Sequence, residues 1–189
     1  MKRILLGLIV CFCTLAATVL EARPPQERDE MNAKIEQFLS EAEEAINKVD
    51  FDEAHNLLNT ALDLSRSIDH QRYIALSSSI LGQLYYVRHD YEKAATEIQR
   101  AVAIQRKIED KSGLAYSYIN YAKVFMAEGN FDRANEYLLL AEELYTGLDE
   151  KESLGLVTLN RGILAVNVER NPSKALEFFE QADNVLHQS

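Results

Sequence analysis

The chain has no tryptophan, two cysteines, three prolines and seven glycines among its 189 residues. So little proline and glycine excludes collagen, flexible linkers and turn-dense all-β folds. Both cysteines, Cys11 and Cys13, lie near the N-terminus. If that segment is removed, the remaining chain has no thiol, hence no disulfide, no Cys-ligated metal and no Cys nucleophile. Basic residues are also scarce, 20 against 30 acidic ones, for a formal charge of −10. A nucleic-acid binder needs Lys and Arg to displace counterions from phosphates, so that class is set aside. What is present, 47% hydrophobic and 26% charged residues, suits a globular chain with a packed core.

Residues 1–22 read as a secretory signal. Lys2 and Arg3 open it, an apolar run follows from Ile4 to Phe12, and small residues Thr14, Ala16 and Ala17 come next. Thr14 and Ala16 fit the two small-residue positions before a signal-peptidase cut, which places cleavage after Ala16, with Ala22 as the second option. Two alternatives stand beside it. The run from Ile4 to Leu20 is near the lower length limit for a membrane anchor. A lipid anchor at Cys11 would need a small residue where Val10 stands. Cleavage after Ala16 removes Lys2 and Arg3 and leaves 18 basic and 30 acidic residues, a charge of −12. The expected location is outside the cytoplasm, periplasmic or secreted, or else membrane-anchored by this segment, which is the one membrane contact expected. Residues 23–30, with Pro24 and Pro25, read as a short polar linker to a domain covering 31–189.

That domain repeats. Phe51-Asp52-Glu53-Ala54, Tyr91-Glu92-Lys93-Ala94, Phe131-Asp132-Arg133-Ala134 and Pro172-Ser173-Lys174-Ala175 align with a period of 40, 40 and 41 residues. A second alanine follows each by seven, at Ala61, Ala101, Ala141 and Ala182. Ala42, Gly82 and Ala122 precede the first three by twelve, and Gly162 precedes the fourth by thirteen, as if the turn at 168–171 held one extra residue. Small residues seven apart share a helix face and let a second helix approach closely. Asp90, Asn130 and Asn171 precede second helices, as N-caps do. The spacing predicts eight antiparallel helices at 28–49, 51–68, 71–88, 91–109, 112–128, 131–148, 151–168 and 172–187, with no strand.

Leu81-Gly82-x-x-Tyr85 followed by Ala94 and Ile98, and Tyr118-x-x-Tyr121-Ala122-x-x-Phe125 followed by Ala134 and Leu138, resemble the tetratricopeptide repeat. The first unit (Phe38, Ala42, Ala54, Leu58) and the fourth (Gly162, Ala175, Phe179) match more loosely. The usual proline closing the second helix is missing, and the period is about 40 instead of 34, which the longer helix ends and turns at 106–112 and 147–153 would explain. This long form looks like the repeats of kinesin light chain and several bacterial regulators. Arg161 stands where the fourth unit should have Leu.

The resemblance implies an all-α fold, a right-handed superhelical stack of about four helical hairpins whose first helices line a concave face. Leu76, Ser79, Ile80, Gln83 and Tyr86 should lie there from the second unit, Tyr116, Ile119, Asn120, Lys123 and Met126 from the third, and Leu156, Leu159, Asn160, Ile163 and Asn167 from the fourth. Glu36, Leu39, Glu43 and Ile46 belong to the first. Asn120 and Asn160 share a repeat position at which family members hydrogen-bond a peptide backbone; the rival reading is that they satisfy local polar groups. Lys123 either grips a partner carboxylate or pairs with a neighbouring Glu. Most of the nine tyrosines pack between helices, with Tyr86 and Tyr116 as the two expected to reach the groove. The acidic residues of the first unit are a solvated face or a match for a basic partner.

No His-Glu-x-x-His, Gly-x-Ser-x-Gly or phosphate-cradling glycine loop occurs, and His55, His70, His89 and His187 have no second histidine at metal-ligand spacing. No cofactor, metal or catalytic residue is expected. The sequence therefore points to an exported scaffold or adaptor binding a protein or peptide in its groove. Its partner-binding residues are Asn120, Asn160, Lys123, Tyr86, Tyr116, Gln83 and Asn167. The alternative is a self-associating module, a homodimer through the last helix with Phe178, Phe179, Val185 and Leu186.

Overall fold

A computed structural model describes residues 24–169 and 172–187. The expectations for residues 1–22 and for Asn171 lie outside the described residues. The chain divides into two compact units, Met1–Lys34 and Ile35–Ser189. Of the first, 24–34 are described. Helix α1, Pro25–Asn47, begins there, inside the segment expected to be a linker. Pro25 suits the first helical position because its missing N–H has no partner to lose, and the Arg28 N–H closes the first turn on the Pro24 carbonyl at 3.1 Å.

The second unit is built on one turn geometry used six times. Val49, Asp69, His89, Glu109, Gly129 and Asp149 all have left-handed φ, between 51° and 75°. After each, the next N–H reaches back five residues to a helical carbonyl: Asp50 to Ala45, His70 to Ser65, Asp90 to Tyr85, Asp110 to Gln105, Asn130 to Phe125 and Glu150 to Tyr145, at 2.8–3.1 Å. This is a helix-closing motif that satisfies carbonyls otherwise left open at the helix end. The residue making that bond also starts the following helix. Asp50, Asp90, Asp110 and Asn130 each accept the N–H three residues on, at 3.1–3.4 Å.

The helices between these turns are α2 Phe51–Ser67, α3 Gln71–Val87, α4 Tyr91–Lys107, α5 Lys111–Ala127, α6 Phe131–Leu148, α7 Lys151–Leu164 and α8 Pro172–His187. Helices α2 to α5 have 17 residues each. The long repeat thus comes from the longer helix ends that were one half of the expectation, joined by short turns in place of the longer ones expected at 106–112 and 147–153. At the end of α7 the chain forms a π-helical stretch, Ala165–Glu169. A wider helical turn is how a helix absorbs one inserted residue, so the extra residue of the fourth unit begins to be accommodated inside the helix, ahead of the expected turn.

From α2 onwards consecutive helices pack on one another, and the first helices of neighbouring repeats, α3 with α5 and α5 with α7, also touch. The second unit is an all-α solenoid of helical repeats. Its axis of close approach is the alanine pattern. Ala54, Ala94 and Ala134 are 0% exposed and Ala175 is 2%; their partners Ala61, Ala101, Ala141 and Ala182 have the same values in the same order. Gly82 shows why the facing residue must be small. A Cβ there would lie 2.5 Å from Ile98 Cγ1 and 3.2 Å from the Ala94 carbonyl. At Gly162 a Cβ would lie 2.5 Å from the Phe179 ring. Arg161, the charged residue at an apolar position, meets Glu142 through both carboxylate oxygens at 3.0 and 2.8 Å. Its guanidinium also stacks on Phe178, 4.9 Å from the ring centre. The fourth unit therefore keeps its register by pairing the charge across the helices that flank it.

Candidate functional site

Side chains at two repeat positions of the four first helices recur from α1 to α7. One row is Glu36, Leu76, Tyr116 and Leu156; another is Glu43, Gln83, Lys123 and Ile163. Between α1, α3 and α5 lies an open pocket of about 280 Å³, lined by Glu36, Leu39, Ser40, Glu43, Leu76, Ile80 and Tyr116. Leu39 and Ile80 are nearly fully buried, at 4% and 2%. The Tyr116 hydroxyl donates to Gln83 Oε1 at 2.8 Å and lies 3.4 Å from Glu43 Oε1. Glu36 accepts a short hydrogen bond from the Tyr73 hydroxyl. Burial pushes the Glu43 carboxyl above the usual carboxylate range, opposed by its hydrogen bond from Tyr116. Burial, reinforced by Glu43, raises the Tyr116 phenol.

Lys123 lies half-buried on α5. Among the described residues it has neither an ion pair nor a hydrogen bond. Desolvation alone holds its pKa below the ordinary lysine value. The neighbouring-Glu pairing weighed for it is therefore corrected: no carboxylate is placed to make it.

On α7 the same face carries Leu156, Leu159 and Ile163, and Val166 of the π-helical stretch continues it, at 42, 37, 39 and 48% exposed. Their spacing of three, four and three residues makes one apolar stripe.

The remaining expected groove residues fall elsewhere. Asn120 is 2% exposed, so it is corrected from groove to interior. Its Nδ2 donates to Ser79 Oγ at 3.2 Å. The Ser79 and Ser117 hydroxyls meet at 3.1 Å, and Ser117 donates to Gln105 Oε1 at 2.8 Å. This buried relay joins α3, α4 and α5. Asn160, 5% exposed, turns its Nδ2 onto the Leu156 carbonyl of its own helix at 2.8 Å. The pair forms no ladder facing a ligand. Tyr86 is half-buried against Tyr91, ring centres 6.0 Å apart, across the α3–α4 turn. Asn167 is exposed in the π-helical stretch. Phe178 and Phe179 are engaged inside the chain, by Arg161 and against Gly162 respectively; Leu176 is the exposed apolar residue of α8, at 56%. The sequence reading missed the pocket as such. Its signal was present in Glu36 and Glu43, seven residues apart on one face.

Residues 71–147 match the family model described as the tetratricopeptide repeat. That stretch of the chain, α3 to α6, is therefore similar to tetratricopeptide repeats. Among solved structures, the crystal structure of BtubC (BKLC) from P. vanneervenii superposes with a TM-score of 0.69 at 22% identity, over 87% of this chain and 66% of that one. The chain thus spans just under two thirds of that protein, and the likeness is one of fold. No curated protein matches the sequence. Tetratricopeptide repeats generally mediate the binding of protein partners, and their presence here suggests a protein–protein interaction scaffold.

Proposed function

We propose that the chain is an exported adaptor that holds a segment of a partner protein along its first helices, in envelope or secretory assembly. The observation that carries the reading is the apolar stripe Leu156, Leu159, Ile163 and Val166, exposed without a covering helix among the described residues. An apolar row set beside an unpaired, half-dehydrated cation is suited to a partner that brings both apolar side chains and a carboxylate. Lys123 and Ile163 occupy the same repeat position on touching helices, so one segment reaches both. Export rests on the signal-like character of residues 1–22, with the cut after Ala16.

The test is affinity capture from the native envelope by the full chain and by the double variant Leu159→Glu, Ile163→Glu. Both residues are exposed, so the variant is expected to fold with the wild-type circular dichroism. Captured partner should fall about tenfold, the scale of losing two apolar contacts and introducing unpaired charge at an interface. Undiminished capture overturns the reading. N-terminal sequencing of the chain recovered outside the cytoplasm checks export, with Ala17 as the expected first residue.

A further inference from the structure

The pocket between α1, α3 and α5 has a chemistry different from that of the apolar stripe. Resting on the groove reading above, we propose that it receives the side chain of a basic residue, arginine or lysine, of the bound partner.

Shape is the first argument. At about 280 Å³, the pocket is smaller than the roughly 300–1,000 Å³ typical of small-molecule sites, and it suits a single long side chain. Leu39, Leu76 and Ile80 make an apolar sleeve, a surface for a methylene stem. Glu36 and Glu43 both line it, seven residues apart on α1, which is about 10 Å along the helix axis. A charged head emerging from the sleeve meets a carboxylate.

Charge is the second argument. Neither Glu36 nor Glu43 forms an ion pair among the described residues; their partners are tyrosine hydroxyls. Dehydration already disfavours the Glu43 anion. An apolar occupant would dehydrate it further with nothing in return, and an acidic occupant would add repulsion. A guanidinium or ammonium instead supplies the missing counter-charge in a partly dehydrated place, where such hydrogen bonds are stronger than in water. The Tyr116 ring forms part of the wall and offers the cation an aromatic neighbour. The chain's charge of −10 also favours approach by a basic segment.

The experiment uses the full chain and four fluorescein-labelled dodecapeptide pools. Each has a fixed central Arg, Lys, Ala or Glu and flanks randomised over Ala, Leu and Ser. Binding is read by fluorescence anisotropy. The Arg and Lys pools should bind about tenfold more tightly than the Ala pool, as a charge-assisted hydrogen bond implies, while the Glu pool, whose carboxylate Lys123 can hold, should not be weakened by Glu43→Gln. Glu43→Gln keeps the shape and should bring the Arg-to-Ala ratio close to one, and Glu36→Gln, the second variant, should reduce it. Pools that bind with no preference for a base, or a preference untouched by both substitutions, overturn this inference and leave the groove standing. If no pool binds at all, the inference and the groove reading fail together.

Discussion

Replacing Lys123 with methionine should make the protein more stable and a poorer binder. Lys123 sits half-buried with its ammonium unpaired among the described residues, and desolvation holds its pKa below the ordinary lysine value of 10.5. Methionine keeps an unbranched stem of similar reach and removes the charge. An unpaired polar group taken out of water costs about 1–3 kcal/mol, and partial exposure puts Lys123 at the low end, about 1 kcal/mol. For a chain of this length that is about 2–4 °C in melting temperature. Denaturant titration at pH 7 should show the gain with an unchanged slope. Capture of a carboxylate-bearing partner should fall about tenfold, since a charge-assisted hydrogen bond is lost. The pH dependence supplies a sign that packing alone does not. A lysine whose folded pKa is depressed binds fewer protons when folded than when unfolded, in the window from that depressed pKa up to 10.5. There the wild type gains stability as pH rises. The variant does not, so the gap between the two closes across that window. Tyr73 and Tyr145, pushed up to about 12 mainly by burial, withdraw stability as pH rises above the ordinary tyrosine value of 10.0. They do so in both proteins and cancel in the difference. A variant less stable than wild type at pH 7, or a gap that is the same at pH 7 and pH 10.5, refutes the account of Lys123 as an uncompensated charge.

Two further expectations concern the frame that carries the groove. Val49, β-branched and 67% exposed, holds φ at 65°. Val49→Gly relieves about 1–2 kcal/mol of left-handed strain against about 0.5–1 kcal/mol of extra unfolded-chain entropy. A net gain of about 0.5–1 kcal/mol by denaturant titration is expected, and a loss refutes it. Gly82→Ala brings a Cβ to 2.5 Å from Ile98 Cγ1. Overpacking of about 1–3 kcal/mol then outweighs about 1 kcal/mol of helix propensity. In a double-mutant cycle with Ile98→Ala the two changes should couple by about 1 kcal/mol or more. Additivity within about 0.3 kcal/mol would show that the two residues do not set the distance between α3 and α4.

The sequence displays what steric closeness dictates and hides what depends on the opposite wall. Ala54, Ala94, Ala134 and Ala175 were readable at their 40-residue period because no larger side chain fits where hairpin helices cross. The turns were half readable. Asp90 and Asn130 announced themselves as caps, yet Val49, Asp69, His89 and Glu109 carry no mark of the left-handed geometry that Gly129 advertises. The groove was the least readable, and Asn120 and Asn160 show why. They stand at one repeat position, but the residue facing each from the preceding repeat differs. Ser79 lies opposite Asn120 and offers an oxygen at 3.2 Å. The corresponding residue opposite Asn160 is Ile119, which is 2% exposed and has nothing to accept with. A buried amide cannot leave its donor unpaired cheaply, so Asn160 bonds the Leu156 carbonyl of its own helix. Both Nδ2 donors are thus turned inside the stack, away from any ladder for a peptide backbone. On the proposed reading, selectivity would rest on side-chain chemistry: two carboxylates beside apolar residues at α1, an ammonium on α5 unpaired among the described residues, and an apolar stripe on α7.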